Sequence, residues 1–416
     1  MVPSGATGRT PPIGGLSQSS GSVHCMRILH TSDWHLGRSF HGTGMLEAQR
    51  GFLDHLVRTV REEGVDVVLV AGDVYDRALP GVDVVALFDD ALERLTATGA
   101  QVVISSGNHD SATRLGFGGR ILARGGVHLR TRIEDIGSAV VLPLGADAEL
   151  AVYGIPYLEP RLVAEALDAD RPGHPEVTRA ALDLVRADLA RRRSRGRVVS
   201  VVMAHTFAAG GAGSDSERDL AVGGLGSVPL PLFDGFDYTA LGHLHGRQTL
   251  SDTVRYSGSP LAYSFSEAGH TKGGWILDVT VDGVRDVRAV EWPAPRRLAV
   301  LRGTLDQLLE LEDLHWAEAA YCSVTLTDAE RPARAMERLR TRFPDTLVLG
   351  FEPEGGPGTD TRSYGQRISA AKDDAEICCG FLEHVRGRRA SVEEAGLVRS
   401  TVDTARSLLH ERQDHP

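Results

Sequence analysis

Between residues 26 and 110 short apolar runs alternate with stretches whose apolar residues recur at helical spacing. MRILHTSD has the apolar run of a strand, and from Leu46 to Glu63 the residues Leu53, Leu56, Val57 and Val60 share one helical face. VDVVLVAGDVYD is an apolar run that ends in a polar turn; a helix is predicted over Val82 to Thr98, then a strand in AQVVISSGNHD. Strands this uniformly apolar are buried on both faces, so the βαβαβ rhythm predicts an α/β fold. Sites in such sheets form in the loops at the carboxyl ends of the strands.

Further strands are expected at Ala151 to Ile155, Val198 to Ala204 and Tyr238 to Leu241, then in a β-rich run from Val254 to Trp292. Pro293, Ala294 and Pro295 mark a boundary. Beyond it Leu298 to Gly303, Ala320 to Thr327 and Thr346 to Glu352 are strand-like, with two helices between them, which predicts a small second domain over 296–354. GGPGT opens a linker over 355–363, and 364–416 carry amphipathic helical patterns. Residues 1–25 are rich in Gly, Ser and Pro and have no apolar core of a signal peptide; they are expected to be disordered, with the folded chain starting at Met26.

A chain of 416 residues, 42% hydrophobic and 24% charged, is too long for one ordinary core. No apolar stretch reaches the roughly 20 residues of a membrane span. The four cysteines form neither a C-x-x-C pair nor a disulfide spacing, which points to reduced thiols and a cytoplasmic setting. A net charge of -11 argues against a general nucleic-acid binder, although residues 179–197 hold seven arginines against two acids. That run is either a solvated helix end or a local basic surface centred on Arg192 and Arg193. No G-x-x-x-x-G-K-[ST] occurs, so this chain is not expected to hydrolyse ATP.

Candidate chemistry gathers where strands end. GHLHG at 242–246 follows the apolar run from Tyr238 to Leu241; in extended backbone His243 and His245 would project together while Leu244 faces the core. Two imidazoles aimed at one point predict a metal. Asp33 and His35 stand in the same i, i+2 relation after the first strand. The second strand delivers Asp73, the third Asn108, His109 and Asp110, and VVSVVMAH ends on His205. These carboxylate, amide and imidazole donors are about what two six-coordinate ions need if one carboxylate bridges them. Asp73, following Gly72, is the candidate bridge. Two divalent ions roughly 3.5–4 Å apart clamp the attacking and leaving oxygens of a phosphoester displacement. The mixed histidine and oxygen set favours manganese, iron or zinc over magnesium. His30, His41, His55 and His270 are taken as structural.

In this order D-x-H, G-D, G-N-H-D, H and G-H-x-H resemble the calcineurin-like metallophosphoesterases. The longer stretches MRILHTSDWHLGRSF, AGDVYDRALP, SGNHDS, YGIPYLEP and YSGSPLAYSFSEAGHTKG are similar to the SbcD family of nuclease subunits, from Met26 to about Trp292 and more weakly beyond. The resemblance implies a four-layer αββα sandwich with a small α+β DNA-capping domain and a helical C-terminal tail. It implies Asp33, His35, Asp73 and His245 around one metal, and Asp73, Asn108, His205 and His243 around the other, manganese being the expected ion. His109 would contact the scissile phosphate and stabilise or protonate the leaving group, and a water activated by the ions would be the nucleophile.

The resemblance further implies a 3′ to 5′ double-strand exonuclease and a hairpin or single-strand endonuclease. Its expected partners are DNA and an SbcC-type ABC ATPase, in a heterotetramer of two nuclease and two ATPase chains. Recombination, replication and repair at the nucleoid are the implied roles. Helices from about Ile368 to Leu409 would dock on the ATPase, and the helix from Val82 to Thr98 with the segment Thr113 to Arg124 would form a homodimer contact. Archaeal relatives carry a histidine where this chain has Asp76. The alternative within the superfamily is a small-molecule phosphodiesterase or phosphatase. A catalytically dead DNA-binding scaffold finds no support, since every ligand position and His109 are present.

Overall fold

The computed structural model describes residues 25–217, 226–354, 373–386 and 390–413. The expected N-terminal extension up to residue 24, the linker over 355–363 and the start of the C-terminal helical segment lie outside the described residues. The chain divides into two compact units. The larger comprises the described residues up to Arg302 with Asp306–Thr325 and Met336–Gly350; the smaller comprises Gly303–Leu305, Leu326–Ala335 and the described residues from Phe351 on.

Two six-stranded sheets form the larger unit. The first orders Gly283–Glu291, Gly273–Thr280, Met26–Thr31, Val67–Ala71, Gln101–Ser105 and Val127–Arg130. The second orders Gln248–Thr249, Val254–Tyr256, Tyr238–Gly242, Arg197–His205, Ala148–Gly154 and Val140–Pro143. Their centres are parallel: Met26–Thr31 pairs with Val67–Ala71, and Arg197–His205 with Tyr238–Gly242, so strand ends that carry polar turns come out on one edge.

The two-residue period of the strands sorts their side chains into layers. Val67, Leu69 and Ala71 point inward with Ile28 and Val103, against Val152, Val199, Val201, Met203 and Ala240 of the second sheet. Val68, Val70, Val102 and Ile104 point outward, onto Phe52, Leu53, Leu56 and Val60 of the helix Leu46–Glu63 and Leu87 and Ala91 of the helix Val82–Thr96. On the second sheet, Tyr153, Val202 and Ala204 face Val177, Ala181, Val185 and Leu189 of the helix His174–Arg193. The result is a helix, sheet, sheet, helix sandwich, in which both faces of each central strand are dry. Burial of a Val or Leu side chain is worth about 1.5–3 kcal/mol, and the strand Val67–Ala71 alone supplies Val67 and Leu69 on one face and Val68 and Val70 on the other.

The expected strands are present, with ends shifted by up to three residues. The helix after Val82 stops at Thr96, two residues early, where Gly99 at φ +92° turns the chain back. Val127–Arg130 and Val140–Pro143 were not anticipated; each is an edge strand of four residues, too short to make a pattern. A three-stranded sheet orders Leu298–Gly303, Tyr321–Leu326 and Thr346–Phe351, and the two predicted helices are Leu305–Glu310 and Ala335–Arg342. In the smaller unit the helices Asp374–Arg386 and Val392–Gln413 leave Phe381, Val392 and Leu397 exposed.

Candidate metal centre

The sandwich brings all eight predicted site residues together at the carboxyl ends of its strands. It does so with a backbone that extended geometry does not provide. The strand Tyr238–Gly242 stops before His243, whose φ is +105°, while Asp33, His35 and Asp73 adopt φ +53°, +45° and +48°. Only seven described non-glycine residues have left-handed φ, and four belong to this cluster. Such conformations cost of order 1–3 kcal/mol each and persist where the surroundings over-determine them.

His243 and His245 consequently do not aim at one point. His243 Nδ1 lies 3.2 Å from Asn108 Oδ1, whereas His245 Nε2 lies 3.0 Å from His35 Nε2. The side chains separate because the chain turns at His243, and its N–H donates to both Asp33 oxygens at 3.0 and 3.1 Å. Leu244 is buried in the core as expected.

Asp73 sits between the two imidazole pairs. Its Oδ2 is 3.6 Å from His35 Nε2 and 3.3 Å from His205 Nε2, and its Oδ1 accepts the backbone N–H of His109 at 2.9 Å. Gly72 and Gly107 make this approach possible: a Cβ on Gly72 would lie 2.2 Å from His205 Nδ1, and one on Gly107 2.1 Å from Asp73 Oδ1. His205 donates Nδ1–H to the Ala71 carbonyl at 2.9 Å, which leaves Nε2, 3.0 Å from Asn108 Oδ1, to face the cluster. His109 Nδ1 contacts the Asp76 carbonyl at 2.7 Å, which fixes the orientation of the ring. Asp110 is not a donor to the cluster. Its carboxyl accepts the N–H groups of Val74, Tyr75 and Gly107 at 2.9–3.1 Å and so ties the Asp73 turn to the Asn108 turn.

The donor set fits divalent cations. Asp33, His35, Asp73, His205 and His245 are each at most 2% exposed, too dry for facing carboxylates and imidazoles to be satisfied by bulk water. Ligand atoms about 2.1 Å from one ion and at right angles lie about 3.0 Å apart, close to the His35–His245 and His205–Asn108 separations. Two groups of convergent donors share Asp33: Asp33, His35 and His245, and Asp33, Asp73 and His205. A third comprises His35, Asp76 and His109.

Protonation follows the same logic. Burial drives His35 well below the usual imidazole range, and burial with the neighbouring His205 drives His243 down to about 3. Burial would raise Asp73, but the charge of His205 and its hydrogen bond hold the carboxyl well down. Conversely His205, despite burial, is lifted to about 9 by Asp73. Burial lifts Asp33 to about 6.

Sequence reasoning passed over the residues around His245. Ser216, Glu217, Glu267 and Lys272 surround it, and Arg38 donates to the Ser216 carbonyl at 2.8 Å with its guanidinium 5.0 Å from the Tyr263 ring centre. The signal was Lys272 itself: the chain has only two lysines, and this one is buried. A cavity of about 790 Å³ takes in Glu267, Lys272, Phe40, Trp316 and Tyr321 but none of the eight clustered residues, so its concavity does not mark the chemistry. The arginine run resolves to a solvated helix end. Arg186, Arg191, Arg192, Arg193 and Arg197 each have an acid partner, Arg192 binding both Asp188 and Glu149.

Residues 26–247, more than half of the chain, match the family model for calcineurin-like phosphoesterases. The chain belongs to that family. Residues 294–379 match a second model, SbcD_C, described as a type 5 capsule protein repressor C-terminal domain, and the two together mark an SbcD-type member of the superfamily. Among solved structures, a protein from Thermus thermophilus is 13% identical over 65% of this chain and 100% of its own, with a TM-score of 0.38. A dimetal phosphatase from Danio rerio is 13% identical over 65% and 100%, with a TM-score of 0.40. This calcineurin-like phosphoesterase is thus a phosphoester hydrolase that uses divalent metal ions. Among its described residues, no helix is long and apolar enough to cross a membrane.

Proposed function

We propose that the chain is the nuclease subunit of a two-component DNA-processing complex, with manganese in its two-ion site. The observation that carries this reading is the SbcD-type C-terminal match joined to a phosphoesterase domain. In this reading 26–292 form the nuclease domain, 296–354 cap the DNA, 355–363 link, and 364–416 bind an SbcC-type ATPase. Asp33, His35, Asp73 and His245 hold one ion and Asp73, Asn108, His205 and His243 the other. The contacts of Asp73 with histidines of both sets support its bridging role.

The ions, when bound, would polarise the phosphate and activate the attacking water. The chain's own contribution is orientation and proton transfer. His205 and His245 are each fixed through Nδ1, which leaves Nε2 to bind. His109, anchored at Nδ1 by the Asp76 carbonyl, is placed to protonate the leaving oxygen from Nε2. Leu79, Val82, Phe117 and Ile121 are 69–88% exposed, and an apolar surface of this kind supports a homodimer through the segment around Val82 and that around Thr113 to Arg124. Two nuclease and two ATPase chains acting on 3′ ends and hairpins in recombination, replication and repair in the cytoplasm complete the reading.

The test is cleavage of an end-labelled hairpin duplex with manganese, first by the chain alone and then with its ATPase partner and ATP. Manganese-dependent cutting extended by the partner is expected. No cutting in either condition, with turnover of bis-p-nitrophenyl phosphate, would transfer the function to the small-molecule phosphodiesterase alternative.

A further inference from the structure

His245 is gripped more completely than any other candidate ligand. Its Nδ1 is 2.5 Å from Ser216 Oγ and 3.5 Å from Glu267 Oε1. Its backbone N–H donates to Glu217 Oε1 at 2.7 Å, and its carbonyl accepts from Lys272 Nζ at 2.9 Å. Lys272 also donates to Ser259 Oγ at 3.0 Å and to Glu267, forming a buried ion pair. Glu267 is 1% exposed and Ser216 7% exposed, so this network is closed to water.

The proton directions are set by counting. A serine hydroxyl has one proton, and the Ser216 hydroxyl lies 2.5 Å from Glu267 Oε1, its strongest acceptor. Glu267 faces the Lys272 ammonium in a buried ion pair, so it is the carboxylate of that pair and accepts. Ser216 Oγ therefore receives the Nδ1–H of His245, and Nε2 carries the lone pair, 3.0 Å from His35 Nε2. A charge-assisted chain runs from Lys272 through Glu267 and Ser216 to His245.

We propose that Glu267, acting through Ser216, is the positioning residue for His245, and that docking of the segment Ser214–Glu217 and metal binding are linked. The proposal rests on His245 being a metal ligand. Ser216 and Glu217 follow the strand that ends at His205, and both are fastened to His245. Outer partners of this kind orient a ligating histidine and raise its basicity; losing one typically lowers metal affinity about 10- to 100-fold. By linkage, a cation at Nε2 tightens the Nδ1 bond and holds Ser214–Glu217 more firmly.

The experiment measures manganese binding to the full chain by electron paramagnetic resonance for wild type, Ser216→Ala, Ser216→Thr, Glu267→Gln and His245→Ala, together with amide exchange of residues 211–217 with and without manganese. Ser216→Ala and Glu267→Gln should each weaken binding about 10-fold or more. Ser216→Thr, which keeps the hydroxyl, should restore it to within a few-fold. Manganese should slow exchange across 214–217 in wild type and not in Ser216→Ala. Wild-type affinity in Ser216→Ala, or equal loss in Ser216→Ala and Ser216→Thr, would overturn the proposal. Because Ser216→Ala leaves the Glu267–Lys272 pair in place, it decides the matter even if Glu267→Gln fails to fold. His245→Ala binding both ions as wild type would instead remove the ligand assignment.

Discussion

Asp73 holds His109 by its backbone, not its ring: Oδ1 accepts the His109 N–H at 2.9 Å while the imidazole turns away to the Asp76 carbonyl at 2.7 Å. Assembly of the site and the chemistry of His109 are therefore separable. His109→Ala keeps the N–H and should keep manganese and DNA binding, while cleavage falls by about 10²–10⁴-fold, the usual loss of a general acid. Turnover and binding measured on one preparation check this. A variant that cleaves at the wild-type rate would remove His109 from the mechanism.

Gly107 is the complementary case. A methyl there would lie 2.1 Å from Asp73 Oδ1, against a carboxylate that is itself fixed. Gly107→Ala should cost about 1–3 kcal/mol of stability from overpacking and displace Asp73, so that metal affinity falls even where the chain remains folded. Thermal melting beside a manganese titration distinguishes the two effects.

The proton held by His205 predicts a pH dependence. Its folded pKa, raised to about 9, exceeds the ordinary 6.5, so in the metal-free chain the contact with Asp73 stabilises fully below about 6.5 and is lost as pH rises through about 9. A cation bound through Nε2 must displace that proton. Manganese affinity should therefore rise between pH 7 and 9, and binding at pH 7 should release protons. Calorimetry in two buffers of different ionisation enthalpy reads the release directly; identical heats would show His205 already neutral.

Arg192 spends its charge inside the fold, on Asp188 at 2.6 Å and Glu149 at 3.1 Å, while Arg193 meets Asp237. Reversing either charge should leave the salt dependence of DNA binding unchanged. Arg192→Ala should instead lower stability by about 1 kcal/mol through the loss of its bonds to a carboxylate that also serves Tyr153. A shallower salt slope would restore the run as a DNA contact.

Val82 and Ile121, 88% and 75% exposed, test the proposed subunit contact. Val82→Asp with Ile121→Asp should give a monomer by light scattering, with bis-p-nitrophenyl phosphate turnover retained because both side chains face solvent and neither is among the clustered donors.

The strands that carry the site were legible because they are dry on both faces: VVLVA and VVSVVMA are short, continuously apolar and rich in β-branched valine, which favours strand over helix, and polar residues at their ends stand out against them. The order of Asp33, His35, Asp73, Asn108, His205, His243 and His245 could be read from the chain for the same reason. Local periodicity says nothing about where the backbone abandons it. Only tertiary contacts hold His243 at φ +105° and turn its ring toward Asn108 while His245 goes to His35. Composition likewise showed seven arginines and the run's own Asp183 and Asp188, but not Glu149, Asp237 and Asp282, which reach Arg192, Arg193 and Arg197 from other segments. The sequence by itself determined which donors exist and which strand end carries each. Tertiary structure decided their pairing, their tautomers and the Ser216–Glu267–Lys272 support of His245, because those depend on contacts between residues far apart along the chain.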